Sequence, residues 1–241
     1  MLSSKMLVCA MVLIAAVASA QTPPPANTTP PVDPGITQIR KSVTFIKLTC
    51  RDGAKEFDVR GTGFFVFYPD TRLGKEAGFV YLVTNRHVAL CWNDSGHAMQ
   101  VERISIRLNR RKADGENFSQ EGFLNEHGNV PWVVPQDDSV DLAAFPCLPD
   151  EAKYDYKLIP VSIFATSDVL SQRKVTEGEP VFFAGFFHQF PGTKRMQPIV
   201  RQGIVAMMPD EKFPFVGQPE KLYLADVHVF GGNSGAPALS T

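Results

Sequence analysis

Neither charge is in excess in this sequence: 24 lysines and arginines face 25 aspartates and glutamates, for a formal net charge of −1. No basic stripe interleaves with aromatics, so a nucleic-acid partner is not expected. Long apolar runs are also missing. Met6–Ala16 is apolar but too short to span a bilayer, which takes about 20 residues. No long amphipathic helix pattern, no strand–helix alternation and no internal repeat is present, which argues against parallel α/β and solenoid architectures. His97, His127 and His188 have no ligand-like spacing, so no metal site and no cofactor is expected.

Cysteine is scarce, with four residues in the chain. Cys9 falls in the first twenty residues, which read as a secretory signal peptide (1–20). Lys5 supplies the positive start, Met6–Ala16 the apolar stretch and Ala18-Ser19-Ala20 the small-residue cleavage pattern. The mature chain then begins at Gln21, secreted or periplasmic, with no stable membrane insertion; the alternative is an uncleaved anchor. Cys50, Cys91 and Cys147 remain, which permits at most one internal disulfide and does not choose the pair.

Residues 21–35 hold six prolines and no strand or helix period, as a stiff, extended, disordered tether does. From Ser42 the chain changes character, and short β-rich runs alternate with Gly, Pro and Asp clusters. The runs are Ser42–Thr49, Phe57–Tyr68, Phe79–Thr84, Val101–Leu108, Trp132–Val134, Leu142–Phe145, Val181–Phe187, Ile199–Met207 and Leu222–Val229. Many short strands with this punctuation indicate an all-β sandwich or barrel. Residues 109–130 read as a long surface loop and 147–178 as a connection between two β units, with a boundary near Asp150.

Three segments carry chemistry. Thr84-Asn85-Arg86-His87-Val88 ends a strand and sets a histidine on the following turn. Val140-Asp141-Leu142 sets an aspartate before an apolar strand, with Asp137 and Asp138 as competing carboxylates. Gly231-Gly232-Asn233-Ser234-Gly235-Ala236 sets a serine between glycines. A serine hydroxyl needs an imidazole to take its proton, and the imidazole needs a carboxylate to orient it. Backbone N–H groups in a glycine-rich turn, here those of Gly232 and Ser234, suit a developing oxyanion.

Together with Gly61-Thr62-Gly63-Phe64, these motifs resemble the trypsin/chymotrypsin superfamily, on the side of bacterial trypsin-like and high-temperature-requirement peptidases. The order His, Asp, Ser is that superfamily's order. A weaker likeness joins Val181–Gly185 and Arg201–Val205 to the strand pair ahead of the nucleophile loop. The resemblance implies two antiparallel β-barrels, 36–150 carrying His87 and Asp141 and 151–241 carrying Ser234. It implies a serine endopeptidase acting on polypeptides, with catalytic His87, Asp141 and Ser234. His228 falls where the floor of the primary specificity pocket is expected, as a substrate-binding candidate. Asn233 replaces the aspartate of members activated by N-terminal cleavage, so no such activation is expected. Only four residues follow Pro237, so the second barrel is expected to be incomplete. The alternative function is a truncated protease fold that binds peptides or proteins without turning them over.

Overall fold

The computed structural model describes residues 14–16 and 35–240, apart from 93–98, 115, 119–130, 138, 188, 191, 216, 217, 221 and 230. Nearly all of residues 21–35, read as a tether, and most of residues 1–20, read as a signal peptide, lie outside the described residues, as do His97, His127, His188 and Asp138. In chain order the strands are β1 (Ile14–Ala16), β2 (Val43–Asp52), β3 (Lys55–Pro69), β4 (Gly78–Thr84), β5 (Gln100–Leu108), β6 (Glu116–Phe118), β7 (Ala143–Pro146), β8 (Ile159–Pro160), β9 (Pro180–Gly185), β10 (Ile199–Met207), β11 (Phe213–Phe215), β12 (Gln218–Glu220), β13 (Leu224–Asp226) and β14 (Ala238–Ser240). Short helices interrupt them: α1 (Gly35–Ser42), α2 (Arg86–Ala89) and α3 (Ser167–Arg173). No described helix is long and apolar enough to cross a membrane.

The strands form two main sheets. The larger runs β6-β5-β2-β3-β4-β7, with β8 joined parallel to β3. The smaller runs β1-β14-β9-β10-β13, and β11 and β12 form a separate ribbon. The chain is thus mostly β, as expected. The expected barrel closure is not seen in the pairing: each main sheet is an open path among the described strands, and the larger ends in strands of only three and four residues.

Period-two alternation explains why β2 is central. Ile46, Leu48 and Cys50 point into one core with Phe65, Leu82, Ile104 and Phe145, while Val43 and Phe45 point into a second with Phe64, Val66 and Val83. The second core also takes Ala184, Phe186 and Met196 from the other half of the chain, and the Phe45 and Phe186 rings meet edge to face at 5.9 Å.

Several local expectations shift. Trp132–Val134 makes a single bridge, Val133 to Ala144, with the Trp132 ring against Phe145. Leu222–Val229 contracts to β13, where β10 is irregular between Val205 and Met207. The segment 109–130, read as loop, contains β6. Beyond Asp150, Tyr154 and Tyr156 are buried in the first core, which therefore continues past residue 150, and Ile159 pairs with Val66 in the second. Cys50 pairs with Cys91, and Cys147 is free and buried, its thiol pushed up to about 12 by burial.

Candidate active site

Strand pairing brings the histidine and aspartate segments together. β4 and β7 run antiparallel with Thr84 opposite Ala143, which sets residues 85–87 beside Asp141. The single turn of α2 turns Val88 and Ala89 into the core and leaves the His87 side chain 40% exposed, beside an Asp141 side chain that is 18% exposed. The His87 backbone N–H donates to Asp141 Oδ1 at 2.9 Å, and His87 Nδ1 lies 2.6 Å from Oδ2. An ionised carboxylate can only accept, so in the neutral imidazole this pair places the proton on Nδ1 and makes Nε2 the nitrogen without one. Buried Asn85 fixes the aspartate from behind: its Nδ2 donates to the Asp141 carbonyl at 2.9 Å. Asp137 is occupied in its own turn, where Oδ1 accepts from the N–H and hydroxyl of Ser139. Of these two carboxylates, Asp141 is the one in contact with His87.

The serine loop reaches the same flank through Thr62. The Thr62 N–H donates to the Ser234 carbonyl at 2.8 Å, and its hydroxyl donates to the Gly232 carbonyl at 2.7 Å. The Ala236 N–H closes the turn on the Asn233 carbonyl at 2.8 Å. In a trans peptide the N–H points opposite the C=O, so fixing the Asn233 carbonyl also fixes the Ser234 N–H on the other side. The N–H groups of Gly232 and Ser234 donate to no described residue. Gly235 has φ +85°, and a Cβ there would lie 2.0 Å from the Thr62 carbonyl oxygen and 2.4 Å from Thr84 Oγ1. Only glycine fits this position.

Gly61 measures how near the two segments come. A Cβ on Gly61 would stand 2.7 Å from Val88 Cγ1 and 3.2 Å from the Ser234 carbonyl oxygen. The backbone of Ser234 and the residue after His87 thus flank one glycine. Among the described residues no hydrogen bond joins the Ser234 hydroxyl to His87. His228 is exposed two residues beyond β13, and no described contact brings it to His87 or Asp141. Ala236 sets its methyl over Gly185, 3.1 Å from where a Cβ on that glycine would be.

Thr62, Thr84 and Asn85 have no role in a reading by reactive residue type. Their signal lay in the motifs themselves, as the polar residues between Gly61 and Gly63 and just ahead of His87. Among the described residues no group of three or more His, Cys, Asp or Glu gathers as metal ligands would.

The chain has no match among curated protein sequences. Among solved structures it is similar to the HtrA-type protease AlgW with tripeptide, at 15% identity and a TM-score of 0.50, covering 85% of this chain and 49% of that one. It is also similar to the MamO protease domain from Magnetospirillum magneticum in its apo form, at 16% identity and a TM-score of 0.46, covering 85% and 81%. The chain therefore spans about half the length of the AlgW chain it matches. The profile of the trypsin-like peptidase domain matches residues 61–241. With that match over most of its length, the chain belongs to the trypsin-like peptidase family.

Proposed function

We propose that this chain is an exported serine endopeptidase working through Ser234, His87 and Asp141. The observation that carries the reading is the two-point contact of Asp141 with His87, formed beside a glycine-flanked serine loop. In the proposed cycle Ser234 Oγ attacks the scissile carbonyl carbon while His87 Nε2 takes its proton. The negative charge that develops on the carbonyl oxygen is met by the N–H groups of Gly232 and Ser234. The C–N bond then breaks, the leaving amine takes the proton from His87, and an acyl-enzyme remains on Ser234. Water, deprotonated by His87, hydrolyses that ester. Asp141 stays ionised throughout and stabilises the imidazolium.

The two sheets correspond in this reading to the two barrels of the trypsin-like fold, with the substrate polypeptide lying between them. His228 contacts the substrate side chain before the scissile bond. Asn233 in place of aspartate supports activity without N-terminal cleavage, and residues 1–20 support export with cleavage before Gln21.

A second reading, a peptide-binding module without turnover, is favoured by the missing hydrogen bond between Ser234 and His87. Hydrolysis of an unfolded protein substrate separates the two. The enzyme reading expects cleavage by the native chain and none by Ser234→Ala. Binding of that substrate without cleavage by the native chain establishes the module.

A further inference from the structure

We infer that Thr62 is a positioning residue for the serine loop, an inference that rests on the peptidase reading above. Thr62 is fully buried and uses its backbone and its side chain in different directions. Its N–H and hydroxyl hold the Ser234 and Gly232 carbonyls. Its own carbonyl accepts from the Thr84 hydroxyl at 2.7 Å, three residues before His87. Its Oγ1 accepts from the Phe186 N–H at 3.1 Å, one residue beyond β9. A single residue therefore ties the serine loop to β4, the strand that leads to His87, and to the sheet that carries the loop.

The side-chain bonds are the ones a mutation can remove. A threonine hydroxyl has one proton to give. With the Phe186 N–H on one lone pair, that proton goes to the Gly232 carbonyl. This orients the peptide between Gly232 and Asn233, next to the peptide whose N–H belongs to Ser234. The isosteric Thr62→Val keeps the volume and loses both bonds, leaving the buried Phe186 N–H and the part-buried Gly232 carbonyl without this partner. The serine loop, with the Ser234 hydroxyl, then shifts relative to His87.

The test compares the native chain, Thr62→Val and Thr62→Ser by peptide hydrolysis and by hydrogen exchange of backbone amides. Thr62→Val is expected to lower kcat by about 10- to 100-fold, the range for a displaced reacting group, with KM changed less than about two-fold. Thr62→Ser, which restores the hydroxyl, is expected to recover kcat to within about three-fold. The Phe186 amide is expected to be protected in the native chain, although it lies outside β9, and to exchange faster in Thr62→Val together with residues 231–236. A native kcat in Thr62→Val, no recovery in Thr62→Ser, or an unprotected Phe186 amide in the native chain overturns the inference. Exchange responding as expected in a native chain that cleaves nothing retains the positioning role and sinks the peptidase reading instead. If Thr62→Val does not fold, the native Phe186 protection and the Thr62→Ser kinetics still decide.

Discussion

Asp141 serves His87 through both carboxylate oxygens, one on the backbone N–H and one on Nδ1. An amide in its place offers one acceptor and one donor. With its oxygen on the backbone N–H, its NH2 group faces Nδ1 and favours the ring tautomer that has no free base at Nε2. Asp141→Asn is therefore expected to lower kcat for peptide hydrolysis by about 10³- to 10⁴-fold, with a nearly unchanged melting temperature, since the shape is kept. Steady-state kinetics beside thermal unfolding checks both parts. The proposed triad of His87, Asp141 and Ser234 was read from the sequence because each sits in a short motif whose chemistry would need that residue type, and the structure brings His87 and Asp141 into contact. Thr62 and Asn85 were not, because their work is to hold backbone carbonyls 170 and 56 residues away, and such partners exist only once the chain is folded. Asp141 was preferred over Asp137 in the sequence because it directly precedes an apolar strand, and in the structure Asp137 instead accepts from Ser139.

At the scale of elements, α2 is too short to hold His87 by its own hydrogen bonds. It is fixed from both ends, by Asn85 before it and by the Cys50–Cys91 disulfide after it. That bridge joins β2 to the segment that follows α2, across a sequence separation of 41. By loop-closure entropy it is worth about 3–4 kcal/mol. Replacing both cysteines with serine is expected to lower the unfolding free energy by about that amount, read from the urea midpoint. The four long strands of the larger sheet were legible as β-rich runs between turn clusters; β5 alternates buried with more exposed positions, while β2, β3 and β4 bury continuous stretches on both faces. α3 was not: Leu170 is its one buried residue, so no apolar stripe marks it, and its signals are a Thr166 cap and a left-handed Lys174. The bridge at Val133 was overread as a strand because an apolar triplet looks the same in both.

At the scale of the whole molecule, the second core decides how the halves meet. Phe186 follows β9 and packs against Phe45 of β2, so it belongs to the smaller sheet's chain and the larger sheet's core. Truncating a fully buried ring typically costs about 3–5 kcal/mol. Phe186→Ala is expected to lower stability by that order while far-UV circular dichroism at low temperature stays native. Calorimetry reads the loss, and a change below about 1 kcal/mol would show that the halves do not share this core. Composition and strand count made the β class legible. The sharing of one core by distant segments was hidden, because Phe45 and Phe186 look like any other apolar strand residues until the sheets meet.

The most direct test of the account is labelling with a fluorophosphonate, followed by mass spectrometry of the modified peptide. The native chain is expected to carry the label on Ser234, and His87→Ala to lose it while remaining folded. A folded native chain that takes no label, or a label on Ser234 that persists undiminished in His87→Ala, would contradict a nucleophile activated by His87.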